Sequence, residues 1–152
     1  MRVESDIKNF KLPKDVILEV LGDWDIIMKG IPEEDKVDVT VKDDDRLVVK
    51  MGLITVADIR RVEKTDSKVV FSADIKGFKE LYVFIQLAED GEDSCNIKIT
   101  LDYEISFAGR MMGLDKEFSH ETVKTSLEDL LEKLREGIDN FALKAKEEVE
   151  NA

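Results

Sequence analysis

The stretch from Phe118 to Val149 sets the terms for the rest of the chain. Val123, Leu127, Leu130, Leu131, Leu134, Ile138, Phe141, Ala142, Ala145 and Val149 recur there at spacings of three and four. That spacing places them on one stripe of a single long helix. Glu128, Asp129, Glu132, Lys133, Arg135, Glu136 and Lys144 occupy its other faces. So long an apolar stripe cannot stay in water, and a large concave surface has to cover it.

The preceding residues supply strands for such a surface. Val3, Ser5 and Ile7 alternate with Glu4, Asp6 and Lys8, the pattern of a half-buried strand. Pro13 opens a short helix to about Leu21, which Gly22 ends. Asp23 or Asp25 caps a second short helix containing Ile26, Ile27 and Met28, ended by Gly30-Ile31-Pro32. From Lys36 the period changes to two. Strands are expected around Val37–Val41, over Arg46–Met51 and Leu53–Lys64, along Val69, Phe71, Ala73 and Ile75, along Leu81–Leu87, and from Asn96 to Phe107. The imperfect alternation at Ala57-Asp58-Ile59 suggests a bulge. Short turns imply antiparallel neighbours, and one apolar face per strand implies a sheet wetted on one side. The expected architecture is α+β: a curved seven-stranded antiparallel sheet around a long C-terminal helix, with two short helices between its first two strands. Residues 1–152 are read as one domain.

The turns sort by end. Asp43-Asp44-Asp45, Thr65–Lys68 and Glu89–Asp93 are polar. Met51-Gly52-Leu53, Gly77-Phe78 and Gly109–Gly113, with the Gly30-Ile31-Pro32 exit, are apolar and glycine-containing. Grouped apolar loops suggest a binding mouth, with Met51, Phe78, Met111 and Met112 gating it and Arg110 beside them. The alternative is that these side chains plug that end of the core.

Charge narrows the partners. Thirty-five acidic residues against 23 basic ones give −12, which disfavours nucleic acid and anionic lipid. The single cysteine, Cys95, excludes an internal disulfide framework. The N-terminal residues do not read as a signal peptide and no apolar run reaches membrane-spanning length, so a cytoplasmic protein without a stable membrane anchor is expected.

Catalytic and metal signatures are sparse. His120 is the only histidine and reads as a first-turn residue beside Ser119, an N-cap with Phe118 and Val123 as a hydrophobic staple. One histidine and one distant cysteine make no typical zinc site, so no metal or cofactor is expected. No glycine-rich phosphate loop is present. Tyr103 falls on the apolar parity of its strand, and its hydroxyl needs a partner, either a ligand or a backbone group. Arg110 either holds a polar head group or is solvated. Asp58 and Arg60 face inward or outward, which parity does not decide, and Ser5 and Thr55 are small polar interruptions that are candidates to line the pocket.

Leu12-Pro13-Lys14-Asp15-Val16, Leu21-Gly22-Asp23 followed by Gly30-Ile31-Pro32, Lys50-Met51-Gly52, and Ala108-Gly109-Arg110 stand in an order that resembles the START-like or SRPBCC superfamily of helix-grip proteins. Within it the sequence is most similar to the family of the G-type subunits of carbon monoxide dehydrogenase. Ile17 stands where helix-grip proteins often carry tryptophan, and Lys144 to Ala152 are polar where the G-type family commonly has an anchoring extension. The resemblance implies a deep apolar cavity between sheet and helix that holds lipids, isoprenoid or quinone-like molecules, or aromatic polyketides. The expected lining is Phe71, Ile75, Val83, Ile99, Tyr103, Ile105, Phe107, Leu127, Leu131 and Leu134. The expected function is a carrier or sensor of a hydrophobic small molecule rather than an enzyme. A polyketide cyclase-like enzyme and an assembly factor that binds a partner protein through the apolar loop end are the alternatives.

Overall fold

A computed structural model describes residues 1–24, 38–51 and 54–150. Eight strands form one antiparallel sheet: β1 (Arg2–Glu4), β2 (Lys8–Phe10), β3 (Asp38–Asp43), β4 (Arg46–Met51), β5 (Ile54–Lys64), β6 (Lys68–Ile75), β7 (Phe78–Glu89) and β8 (Cys95–Ile105). The order across the sheet is β1-β8-β7-β6-β5-β4-β3, with β2 also paired to β8. Helix α1 spans Lys14–Leu21, α2 Phe107–Met111, α3 Leu114–Glu117 and α4 His120–Glu150. The expected second short helix and the turns at Gly30-Ile31-Pro32 and Gly52 lie outside the described residues, as does the apolar stripe of α4 from Ile138 onward.

The eighth strand arises because the first is interrupted. Ser5 is buried, its backbone N–H donates to the carbonyl of Ile99 at 2.8 Å, and its hydroxyl accepts from the N–H of Ile99 at 2.9 Å. The side chain thus continues the ladder where the backbone turns away. Parity is lost beyond it, and Ile7, expected on the inner face, is 65% exposed.

Two irregularities shape β5. Thr55 pairs with Lys50 and Ala57 with Val49, so Val56 is an extra residue, slightly before the bulge read at 57–59. Arg61 pairs with Phe71 and Glu63 with Val70, so Val62 is extra too, and it is exposed. Such insertions bend and twist a strand, which gives the sheet the curvature needed to receive a helix.

The core gathers on the concave side: Val3, Phe10, Ile17, Val69, Ile97, Ile99 and Leu131 are essentially fully buried. Trp24 packs its ring 5.7 Å from that of Phe71. Above Trp24 lies the Arg61 guanidinium, which donates to Asp45 Oδ1 at 3.0 and 2.9 Å and to the Leu21 carbonyl at 3.3 Å. This arginine ties the last turn of α1 to the polar end of the sheet.

Helix α4 begins as its sequence predicts. The Ser119 hydroxyl accepts from the N–H of Thr122 at 3.4 Å. Val123, Leu127 and Leu131 are buried, whereas Leu130, expected on the same stripe, is 48% exposed. The buried line descends by single steps of four, so Leu130 is rotated off it. Polar contacts hold the helix to the first strands. The N–H of Asp6 donates to Glu128 at 2.5 Å, Lys8 donates to Glu132 at 2.8 Å, and Lys124 lies 3.8 Å from Asp6.

Candidate functional site

Helix α4 packs mainly against β1 and β8, one side of the concave face. Ile59 of β5, Ala73 and Ile75 of β6, Val83 of β7 and Leu134 of the helix pack on the core but are only half-buried. The helix therefore sits to one side and leaves an apolar strip along β5, β6 and β7 partly unsealed. This strip, floored by buried Phe71, Ile99, Leu127 and Leu131, is the candidate site.

Of the ten expected lining residues, Phe71, Ile99, Tyr103, Leu127 and Leu131 are buried, and Ile75, Val83, Ile105 and Leu134 are half-buried beside them. Phe107 does not belong with them: it is 80% exposed. The strand expected to continue to Phe107 stops at Ile105, because the Ser106 side chain accepts from the N–H of Gly109 and caps α2. Phe107 becomes the first residue of that helix and points away from the sheet. Ile59 and Ala73 join the strip though neither is among the expected lining residues; on β5 the extra Val56 hides the parity that marks Ile59.

Of the apolar turns, those at Gly77 and Gly109 meet. Gly77 adopts φ 99°, open to glycine at little cost, and its carbonyl accepts from the N–H of Ser106 at 3.0 Å. Gly109 lies directly on this turn. Phe78 does not stand in the turn but begins β7, half-buried against Phe118 with ring centroids 5.0 Å apart and 6.2 Å from Tyr103. The segment Gly109–Gly113, expected as a loop, contains most of α2 and the left-handed Gly113 that leads into α3. Arg110, Met111 and Met112 are exposed on α2 and its end. Met51 is the last residue of β4 and pairs with Ile54.

The Tyr103 hydroxyl and the Asp58 carboxylate are engaged by the protein, whereas the buried Trp24 Nε1, beside Phe71, has no hydrogen-bond partner among the described residues. The Tyr103 hydroxyl donates to the carbonyl of Phe118 and lies 3.0 Å from Met1 Sδ. Burial pushes its ionisation above the usual tyrosine range. Asp58 lies on the outer face, opposite in parity to Ile59. Arg46 donates to it twice, at 3.0 and 2.7 Å, and Arg60 lies 3.8 Å away. Hydrogen bonding from Arg46 holds the Asp58 carboxyl below the usual range. His120 is an exposed first residue of α4. Among the described residues no three His, Cys, Asp or Glu side chains are grouped to hold a metal ion, and no helix is long and apolar enough to cross a membrane. Two surface hollows lie elsewhere. One, of about 460 Å³, is walled by Glu19, Trp24, Val41 and Lys64, and the other by Pro13, Lys14 and Glu92.

This arrangement, a curved antiparallel sheet with a long terminal helix across its concave face, is the START-like (SRPBCC) helix-grip fold. Norcoclaurine synthase from Thalictrum flavum, in complex with dopamine and hydroxybenzaldehyde, superposes with a TM-score of 0.65 at 12% identity, over 95% of this chain and 87% of that one. A protein from Thermus thermophilus gives 0.57 at 16% identity, over 91% and 97%. A START superfamily protein from Mycobacterium smegmatis gives 0.51 at 11% identity, over 85% and 98%. No family model and no curated protein matches the chain. At these identities the likeness is one of fold.

Proposed function

We propose that the chain binds a hydrophobic small molecule, of the lipid, isoprenoid or quinone-like kind, along the strip between α4 and strands β5, β6 and β7. The observation that carries this reading is the contiguous set of half-buried aliphatic side chains Ile59, Ala73, Ile75, Val83 and Leu134 beside the buried Phe71, Ile99, Leu127 and Leu131. A core built only for stability would seal them. Each ~100 Å² of such surface that a ligand covers would contribute about 2.5 kcal/mol before the costs of association. A START-like structure in complex with dopamine and hydroxybenzaldehyde supports small-molecule binding on this fold. A cyclase-type reaction needs acids and bases turned toward the ligand. With the Tyr103 hydroxyl given to Phe118 and Asp58 held by Arg46 on the outer face, carriage is the better reading.

The test is native mass spectrometry of the purified protein with solvent extraction, alongside titration with the fluorescent apolar probe anilinonaphthalene sulfonate. A co-purifying apolar mass, or probe uptake that falls at least about fivefold in Ile75→Trp and Val83→Trp, is expected. A protein that carries nothing and takes up no probe refutes the reading.

A further inference from the structure

Among the described residues, the two most exposed large apolar side chains, Phe107 and Met111, stand in one place together with Met112. Phe107 is 80%, Met111 73% and Met112 55% exposed. Phe107 and Met111 are one turn apart on α2, and Ala108 and Met112 repeat that spacing, so the four make one outward face. Val41, Val62 and Leu130, the other exposed aliphatics, sit singly on β3, β5 and α4. The face is also held in place. The buried Gly109 lies so close to the opposite turn that an added Cβ would be 2.1 Å from the Gly77 carbonyl oxygen, and the Ser106 side chain caps the helix. A rigid seat with an apolar face turned to solvent is a surface awaiting a partner.

We propose that α2 docks the protein on a zwitterionic lipid surface, with Phe107, Met111 and Met112 entering the interfacial layer. The make-up and the charge of the patch select this occupant. The three side chains expose on the order of 400 Å² of apolar area, the size of the largest apolar patch on a typical monomer (~300–600 Å²), which is often functional. A lipid interface needs no matched shape, and it takes Phe and flexible Met flanked by Lys and Arg. The charges agree. Over residues 107–117, Arg110 and Lys116 cancel Asp115 and Glu117, in a chain whose total is −12. On the adjoining turn, exposed Lys76 and Lys79 face exposed Glu80, and Lys79 lies 3.8 Å from Glu104. This is the locally near-neutral end of an acidic molecule, suited to a zwitterionic surface and not to an anionic one. The proposal stands on α2 alone and holds whatever lies between the sheet and α4.

Flotation with phosphatidylcholine vesicles tests it. The wild-type protein is expected to co-float, with binding that changes less than about twofold with salt and is no stronger on phosphatidylserine-containing vesicles. The double variant Phe107→Ser/Met111→Ser should lower the bound fraction at least about tenfold, and Leu130→Ser should leave it unchanged. The variant Phe107→Trp, at a site open enough to keep the fold, should be quenched by brominated phosphatidylcholine. Absence of wild-type flotation overturns the proposal. So does a double variant that floats as well as wild type, or a Phe107→Trp protein that brominated lipid does not quench. Sedimentation velocity without lipid covers the remaining occupant: a dimer dissolved by the double variant would reassign the face to a second copy of the chain and overturn lipid docking.

Discussion

Gly109 and Gly137 both lie in helices, and replacing each with alanine should move stability in opposite directions. Propensity alone favours alanine at either position by about 1 kcal/mol. At Gly137 the new Cβ meets nothing within 4 Å, so Gly137→Ala should gain roughly that amount. At Gly109 the Cβ would stand 2.1 Å from the Gly77 carbonyl oxygen, 2.7 Å from Ile105 Cγ2 and 3.0 Å from the Gly77 carbonyl carbon. Two of these atoms are backbone and cannot rotate aside, so the turn and α2 must separate. Overpacking of this kind costs ~1–3 kcal/mol. Weakening the bond from the Ser106 N–H to the Gly77 carbonyl, 3.0 Å long, costs about 1 more. Less the propensity gain, Gly109→Ala should be about 1–3 kcal/mol less stable than wild type. At ~2–4 °C per kcal/mol for a chain of this size, its Tm should fall by roughly 2–12 °C while that of Gly137→Ala rises by about 2–4 °C. Paired thermal and urea denaturation followed by circular dichroism measures both. A Gly109→Ala protein as stable as wild type would refute the close seating of α2 on the Gly77 turn.

Three further outcomes are expected. Tyr103→Phe leaves the Phe118 carbonyl without its donor and should lose about 1–3 kcal/mol in urea unfolding; an unchanged midpoint would show that the bond contributes nothing. Because Arg46 holds the folded Asp58 carboxyl below its usual range, the pair stabilises at neutral pH and its contribution fades as pH falls through the acid range. The Tm gap between wild type and Asp58→Asn should therefore be full at pH 7 and narrow as the pH falls below the usual carboxylate range; a gap independent of pH contradicts the pairing. Cys95 is fully buried, and burial pushes its thiol up, so a thiol reagent should label it quickly only after denaturation. Fast labelling of the native protein would show that the β2–β8 pairing is open.

Local signals were readable wherever one residue decides the backbone. Pro13 and Gly22 bound α1, and Gly77 and Gly91 turn with φ 99° and 93°. Alternation marked β8 almost to its end. The misreadings share one cause, a side chain that substitutes for or interrupts a backbone pattern. Ser5 completes a ladder with its hydroxyl, so the break after it looks like continued alternation. Ser106 caps a helix whose Phe107 still fits the parity of a strand. Val56 and Val62 add a residue each without any glycine or proline to announce it. The candidate site was legible only as a set of apolar parities. Which of those residues stay half-open depends on α4 lying over β1 and β8, and that follows from the contacts of Asp6 and Lys8 with Glu128 and Glu132, pairs far apart in the chain.

The pairing of β1 with β8, Arg2 opposite Asp102, also imposes an order of assembly. The first strand is synthesised long before its neighbour in the sheet, and at ~5–20 residues per second it waits roughly 5–20 s on the ribosome. Until β8 arrives, β7 is an unprotected edge, and until α4 follows, Lys8 and Asp6 have nothing to hold. Closure of the molecule thus waits for segments about 100 residues apart in the chain to meet. A chain interrupted before the helix would present an apolar sheet to the cell, which makes this long-range clasp the step at which aggregation competes with folding.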